Sequence, residues 1–249
     1  MESVLYDDRS PWPEEADGMG ASLERRNPIL PSTYPAAWSS STENGTPGKL
    51  NSAFTEQLPP LIMEVDHSPK IPQPNESVTV TARVYETVQR VSAVRLRMGW
   101  NRSSFQKIDM VDDGAHGDGE AGDGIYGATV QGGKALDILR FYIEAVDTEG
   151  RSSMLPEEGR DSPYLTVVET PVMGERVSIF RVVMEPDVQE TFLQRYQTDE
   201  YFPATFYDGD TVYYRVHIRH RGRSRIQNGR FKIRFSPDRL FRGAIRRLN

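Results

Sequence analysis

The feature that most constrains the fold is a series of short segments, between residues 61 and 168, in which apolar and polar residues alternate. The clearest of them, residues 77–84, has the order Ser-Val-Thr-Val-Thr-Ala-Arg-Val, and residues 91–98 repeat the pattern. A period of two predicts extended strands that bury one face and expose the other. The other strand candidates are residues 61–65, 126–130, 138–146 and 164–168. Because turn-forming residues separate these short strands, the series predicts a β-sandwich.

Composition excludes several classes of protein. The chain has no cysteine, which rules out a disulfide scaffold, a cysteine-ligated zinc site and a cysteine nucleophile. No apolar run reaches the roughly eighteen residues of a membrane-spanning helix. The 17 prolines and 20 glycines favour β-modules over helical bundles. The histidines (His67, His116, His217 and His220) lie in unrelated contexts and no G-x-S-x-G turn occurs, so serine hydrolase chemistry has no support.

Residues 112–126 form a segment with five carboxylates and five glycines between two predicted strands. Glycine allows the backbone to fold back at positive φ, and carboxylate and carbonyl oxygens are the ligands that calcium prefers. The segment therefore contains a candidate calcium site, with Asp112, Asp113, Asp118 and Asp123 as its metal ligands. The spacing differs from that of an EF-hand, so a turn-rich loop whose acids remain in water is the alternative that the pattern favours.

Charge is distributed unevenly along the chain. The formal net charge is −6, yet residues 215–249 carry twelve Lys or Arg and a single acid, Asp238. Such asymmetry predicts separate modules with separate partners. Cations interleaved with aromatic residues would also suit a nucleic acid, but these aromatics alternate as core residues do. We therefore predict no nucleic-acid partner.

The last part of the chain combines strand and helix signals. Residues 176–184, 202–207, 212–219 and 231–235 are predicted strands, and Asp208-Gly-Asp210 is the turn of a β-hairpin. Pro186 and Asp187 begin a predicted helix, where a carboxylate is favoured near the N-terminus. The apolar stripe of this helix is formed by Val188, Phe192, Leu193 and Tyr196.

The first part of the chain, residues 1–52, is polar, with Trp12 and Trp38 as its large anchors and a short strand candidate at residues 21–25. It resembles the C-terminal part of a lamin-tail-type domain, an immunoglobulin-like sandwich of secreted bacterial proteins. The matching segments are residues 6–8, 11–13, 16–18, 22–25 and 45–48, with Trp38 and Asn51. A disordered leader rich in proline and serine is the alternative.

The middle of the chain, residues 57–170, resembles immunoglobulin-like and fibronectin-III-like bacterial modules. The resemblance is carried by residues 141–150, with the order Phe-Tyr-Ile-Glu-Ala-Val-Asp-Thr-Glu-Gly, which match a penultimate strand and its turn. The Asp/Gly segment is similar to a connection found in extracellular members of this group. The resemblance implies a complete sandwich in an extracellular setting.

Residues 176–249 resemble the N-terminal lobe of the spore-coat-protein-H (CotH) family of secreted kinases. The matching segments are residues 207–210, 212–214, 218–222, 231–235, 241–243 and 248–249, with Ser224. The resemblance implies a phosphate-facing turn, with Arg219, Arg221, Gly222, Ser224 and Lys232 as the candidate cofactor-binding residues. The family usually carries lysines where this chain has Asn228-Gly229-Arg230, so its nucleotide-binding lysine is in doubt. A solvated hairpin edge is the alternative.

Together these signals predict a mainly-β, multidomain chain in which immunoglobulin-like β-sandwich modules precede an α+β kinase N-lobe fragment. The metal-binding and catalytic acids of such kinases are expected further downstream, so no catalytic residue is assigned and ATP/Mg²⁺ binding is expected only in a full-length parent. Both ends of the chain are interpreted as cut, with a signal sequence upstream.

The predicted function is that of an extracellular, monomeric, non-catalytic module of a larger protein that resembles a CotH-type kinase. Its partner is expected to be a protein or a cell-surface polymer. The alternative is a structural or adhesion protein that binds surface polysaccharide or protein and whose kinase lobe has decayed.

Overall fold

The computed structural model describes residues 4, 6, 12–42, 44–169, 180–221, 230–236 and 239–249. The protein is mainly β and is built from antiparallel sheets in three consecutive parts of the chain. Within the described residues, no helix has the length and apolar character needed to cross a membrane.

The N-terminal part is a small hairpin that packs on the middle of the chain. Strands β1 (Leu23–Arg25) and β2 (Trp38–Ser40) pair antiparallel. The Glu24 carboxylate is buried and accepts hydrogen bonds from the hydroxyls of Thr46 and Ser52, which fix the following loop to β1. A small apolar cluster joins this part to the residues that follow, and its buried members are Leu30, Ala37, Leu58, Leu61 and Met63.

The middle part is a two-sheet sandwich. Its strands are β3 (Leu61–Ser68), β4 (Val78–Tyr85), β5 (Val91–Trp100), β6 (Gln106–Met110), β7 (Ile125–Val130), β8 (Ile138–Asp147), β9 (Ser152–Leu155) and β10 (Tyr164–Val167). One sheet has the order β3-β4-β7, and the other has the order β10-β8-β5-β6. The short strand β9 also pairs with β8, next to the stretch of β8 that pairs with β10.

Alternation explains the sandwich core. In β8, every second side chain is buried, and Leu139, Phe141, Ile143 and Ala145 have no exposed surface. Burying a side chain such as Leu, Ile or Phe contributes about 1.5–3 kcal/mol, so a regular strand face of this kind strongly fixes the register. The six predicted strands are confirmed. Strands β6 and β9 were not predicted, because β9 is short and β6, at the sheet edge, buries little besides Met110.

The C-terminal part is one antiparallel sheet covered by a helix. Its elements are β11 (Phe180–Val183), α1 (Pro186–Gln194), β12 (Phe202–Asp208), β13 (Thr211–His220), β14 (Phe231–Arg234) and β15 (Arg247–Leu248), and the sheet order follows the chain. The predicted hairpin and helix are confirmed. Phe192 is buried as predicted, whereas Leu193 is 58% exposed and Tyr196 lies beyond the helix end. Residues 176–179 of the predicted first strand lie outside the described residues.

A β-bulge in β13 changes which face of the sheet its side chains are on. Opposite β12 the register shifts between Ala204 and Phe206, and Arg215 adopts a φ of 55°. Before the bulge Tyr214 is on the sandwich side of the sheet. After it, Val216 and Ile218 face the opposite side, where they join Phe192 of the helix in one apolar core. The bulge therefore places Tyr214 in a different core from Val216 and Ile218, which regular alternation would put on the same face.

Candidate functional site

The junction between the sandwich and the C-terminal sheet is a cluster of aromatic rings. The Tyr214 ring lies 4.5 Å from that of Tyr164 and 6.2 Å from that of Phe141, measured between centroids. The His67 ring lies 6.0 Å from Phe141 in an edge-on arrangement. Such edge-on and tilted pairs are favourable beyond the area they bury. Tyr214, on β13, is thus inserted into the end of the sandwich core.

Hydrogen bonds identify which atoms of His67 and Tyr214 carry a proton. The Nε2 atom of His67 is 3.1 Å from the carbonyl oxygen of Lys70, which only accepts, so Nε2 donates. Its Nδ1 atom then accepts a hydrogen bond from the hydroxyl of Tyr214. Burial lowers the pKa of His67 to about 4 and raises that of Tyr214 well above its usual value. Both side chains are therefore neutral near pH 7.

A second apolar contact extends the junction. Tyr207 is fully buried and donates its hydroxyl to the carbonyl of Leu165 over 3.3 Å. Burial raises the pKa of Tyr207 as well. Val167 of the sandwich and Val183 and Val212 of the C-terminal part complete this cluster. The two parts are consequently joined by a continuous apolar core.

Ion pairs surround the junction. They link the sandwich to the C-terminal part through Arg140 and Glu185, Arg102 and Asp187, Arg215 and Glu158, and Arg181 and Glu169. The Arg102–Asp187 pair is exposed and contributes about 0–1 kcal/mol. The pairs Arg140–Glu185 and Arg181–Glu169 are largely shielded from solvent, so they fix the orientation of the two parts more strongly.

The Asp/Gly segment is a loop that its own carboxylates hold together. The buried Asp118 side chain accepts hydrogen bonds from the backbone N–H groups of Asp113, Gly114 and His116, at 2.8, 3.0 and 2.8 Å. Desolvation alone would raise the pKa of Asp118, but these donors outweigh it and the pKa is lowered. The carboxylate therefore acts as the centre of the loop.

The other predicted metal ligands have similar local roles. Asp112 accepts from the N–H groups of Gly122 and Gly124, at 2.6 and 2.9 Å. Asp123 accepts from the N–H of Ile125 at 2.9 Å. Asp113 lies 2.9 Å from Nδ1 of His116, and this hydrogen bond lowers the pKa of Asp113 and raises that of His116.

The four predicted calcium ligands thus lie in one loop and each accepts hydrogen bonds from it. In the part of the chain that the structure describes, no group of three or more His, Asp or Glu side chains is placed to hold a metal ion. Backbone donors account for the carboxylates without an ion, which favours the plain-loop interpretation. Calcium binding itself stays a prediction.

The predicted phosphate-binding residues are only partly brought together. Arg219 and Lys232 are directly opposite each other on β13 and β14, so their side chains share one face of the sheet. Arg221 is exposed just beyond β13, where its N–H bonds the carbonyl of Arg230 at 2.9 Å. The predicted residues Gly222 and Ser224 lie outside the described residues.

Three further residues on this face were missed by sequence reasoning. Arg234 is paired with Arg247 across β14 and β15, and its guanidinium lies 4.0 Å from the ring of Tyr201. The guanidinium of Arg219 lies 5.2 Å from the same ring and forms an ion pair with Asp199. The ring of Tyr201 is thus close to two cations. The signal available in sequence was the alternation of charge in Phe-Lys-Ile-Arg-Phe, which predicts that Lys232 and Arg234 share one face.

We define the basic face as Arg219, Lys232, Arg234 and Arg247. The Nε atoms of Arg219 and Arg234 and the hydroxyl of Tyr201 are shielded from solvent and make no hydrogen bond within the described residues. Desolvation and the neighbouring guanidinium groups of Arg215 and Arg234 lower the pKa of the adjacent His217. The face therefore has a positive potential that the protein leaves largely uncompensated.

Comparison with known proteins identifies one part of this architecture. Residues 65–138 match the family described as the second Ig-like domain of conditioned medium factor. The match runs from within β3 to the start of β8, so the chain contains an Ig-like domain in its sandwich. No curated protein matches the chain.

Similarity to solved structures is distant. One that matches is that of astrotactin-2, described as a conserved vertebrate-specific and perforin-like membrane protein involved in neuronal development. The sequence identity is 16% and the TM-score is 0.32, and the match covers 54% of this chain. This chain spans only 26% of the length of that one.

Proposed function

We propose that this chain is a non-catalytic spacer and binding module of a larger extracellular protein. The observation that carries the proposal is the junction, where Tyr214 and Tyr207 of the C-terminal sheet enter the end of the Ig-like sandwich. An apolar core shared by two parts of a chain holds them in one orientation, whereas most contacts between domains are more polar and permit relative motion. The sandwich would therefore present the C-terminal sheet at a fixed distance and angle.

The parent protein in this proposal resembles a CotH-type kinase, and the C-terminal sheet would be the first part of its lobe. This part of the proposal rests on the resemblance and on Arg219 and Lys232, which lie side by side as phosphate-binding cations would. Phosphoryl transfer also needs acids that hold Mg²⁺ and orient the nucleophile. We place those acids, and ATP binding with them, in the parent.

The second candidate is a structural or adhesion protein that binds a surface polysaccharide or protein, with a decayed kinase lobe. The basic face favours it, because Arg234 and Arg247 extend the positive surface beyond the residues expected to contact a nucleotide. The two candidates agree that this chain is a rigid, non-catalytic unit.

Rigidity can be measured directly because the chain has no cysteine. Spin labels on cysteines introduced at Thr148 and Gln194, both exposed, would report the distance between the sandwich and helix α1. A single narrow distance distribution is expected, and Tyr214→Ala should broaden it. A broad distribution in the unmodified background would contradict the proposal.

Catalysis is tested separately with labelled ATP, Mg²⁺ or Mn²⁺ and a generic protein substrate. No incorporation above background is expected. Incorporation that survives repurification and is lost in Arg219→Gln would show that the chain itself transfers phosphate, and the non-catalytic part of the proposal would be wrong.

A further inference from the structure

We propose that the basic face binds an acidic polysaccharide, a sugar polymer that carries carboxylate, sulfate or phosphate groups. The inference rests on the proposed role as a binding module and names the partner of that module. Three observations carry it. These are the regular placement of the cations, the lack of carboxylates that neutralise most of them within the described residues, and the packing of the nearby aromatic rings against other side chains of the protein.

The cations are placed at regular intervals by the register of the sheet. Arg234 of β14 lies between His217 of β13 and Arg247 of β15, and Arg219 is opposite Lys232 two residues further along the strands. Neighbouring strands are about 4.8 Å apart, so the cations recur at that interval across the sheet. A flat surface with repeated positive charge suits a linear polymer with repeated negative charge.

Within the part of the chain that the structure describes, most of these cations have no carboxylate partner. Asp199 pairs with Arg219, and Glu158 pairs with the adjacent Arg215. Within the described residues, no ion pair joins Lys232, Arg234 or Arg247 to a carboxylate. Guanidinium groups bind carboxylate, sulfate-like and phosphate oxygens in bidentate geometry, so two of the three are well suited to such groups.

The aromatic residues distinguish the polysaccharide from a nucleic acid. Proteins that bind single strands stack bases on exposed rings. Here the ring of Tyr201 is in contact with the guanidinium groups of Arg219 and Arg234, while Phe231 and Phe235 pack in the apolar core under the sheet. The face thus offers charge without a free ring for a base.

The same face is a poor match for a protein partner. Stable protein interfaces have a buried core of apolar or aromatic residues with charge at the rim. The basic face has cations at its centre, and Val216, Ile218 and Ile233 of the same stretch of β13 and β14 are directed to the opposite side of the sheet. The arrangement favours a charged polymer that remains partly hydrated.

The test is a binding titration of the full chain with heparin, polygalacturonate, neutral dextran and single-stranded DNA at two salt concentrations. We expect salt-sensitive binding of at least one acidic polysaccharide and no binding of dextran. Each charge removed, in Lys232→Gln, Arg234→Gln or Arg247→Gln, should weaken binding about five-fold, the usual contribution of one cation near an anionic surface.

Lys107→Gln is the matched control, because Lys107 is a lysine on strand β6 whose loss changes the net charge by the same amount. Its affinity should equal that of the unmodified chain. The melting temperature of each variant shows whether it is folded. If Arg234→Gln has a clearly lower melting temperature than the unmodified chain, the conservative Arg234→Lys takes its place, and we expect it to show weaker but measurable binding.

Three results would overturn the inference. These are the absence of binding to both acidic polysaccharides, an equal loss of binding in Lys107→Gln and Lys232→Gln, and tighter binding of DNA than of either polysaccharide. None of them bears on the rigid junction or the absence of phosphotransfer, so this inference and the proposed function can fail independently.

Discussion

The Nδ1 atom of His67 accepts a hydrogen bond from the hydroxyl of Tyr214, a residue 147 positions further along the chain. The bond crosses from strand β3 of the sandwich to strand β13 of the C-terminal sheet. It lies among aromatic rings and His67 is almost fully buried, so its loss would leave the His67 nitrogen unsatisfied in an apolar setting. The pair therefore ties the orientation of two parts of the protein to one local interaction.

Removal of the Tyr214 hydroxyl should destabilise the junction. Tyr214→Phe keeps the ring but leaves Nδ1 of His67 without a donor, a loss of about 1–3 kcal/mol. Tyr214→Ala also opens a cavity and should cost about 3–5 kcal/mol. Urea unfolding measures both. Tyr85→Phe, in which the tyrosine is 42% exposed, is the control and should be neutral. Equal stability of Tyr214→Phe and the unmodified chain would contradict the assigned hydrogen bond.

Stability should fall in mild acid because of His67. Its pKa is about 4 in the folded protein and near 6.5 when unfolded, so between these values only the unfolded chain takes up the proton. The contribution of His67 is therefore fully present above about pH 6.5 and is lost as the pH falls towards about 4, by up to about 3 kcal/mol.

The measurement is urea unfolding of the unmodified chain and of His67→Gln at pH 7 and pH 5. A glutamine cannot be protonated, so the variant should lose less stability between the two pH values. His217, whose pKa is also lowered, contributes in the same direction to both proteins and cancels in the difference. Identical pH dependence of the two proteins would show that His67 is not buried in its neutral form.

Asp118 should be the least replaceable residue of the Asp/Gly loop. Its carboxylate accepts hydrogen bonds from three backbone N–H groups, and Asp118→Ala would leave all three unsatisfied in a buried site. We expect a loss of at least about 2–3 kcal/mol, seen as a lower melting temperature. Glu120→Ala, at an exposed position of the same loop, should change little. Similar melting temperatures for both variants would contradict the central role of Asp118.

Calcium distinguishes the two interpretations of the same loop. An ion that binds only the folded chain raises its melting temperature by mass action. If Asp112 and Asp123 are ligands, millimolar calcium should raise the melting temperature relative to chelator, and Asp112→Asn with Asp123→Asn should abolish the difference. Because backbone donors already occupy both carboxylates, we expect no difference. A calcium-dependent rise that the double variant lacks would support the calcium site instead.

The middle of the chain should fold without its neighbours. Residues 57–170 contain both sheets of the sandwich and their common core. The isolated fragment should unfold cooperatively, but at a lower temperature than the whole chain, because Tyr164 and Leu165 lose their contacts with Tyr214 and Tyr207. Residues 1–52 alone should not unfold cooperatively, since Leu30 and Ala37 pack on residues of the following segment. An aggregated fragment 57–170 would show that the predicted boundary is misplaced.

Periodicity in the sequence determined the strands. The alternation in residues 77–84 and 138–146 predicts which residues of β4 and β8 are buried, because neighbouring side chains of a strand point to opposite faces. The helix at Pro186 and the hairpin turn at Asp208-Gly209 were also predictable from local signals. Strand β6 was not, because an edge strand exposes polar side chains and needs little apolar pattern.

Only the tertiary structure decided which side chains of each strand meet those of other strands. Alternation along β13 would place Tyr214 on the same face as Val216 and Ile218, and the bulge at Arg215 reverses this, so that Tyr214 enters the sandwich. The extra residue is set by the packing of two cores, which a local pattern does not record. In the same way, Arg219, Lys232 and Arg234 form one face with Arg247 because of the strand register. The sequence determined the local elements and the amount of charge, while long-range packing determined which residues meet.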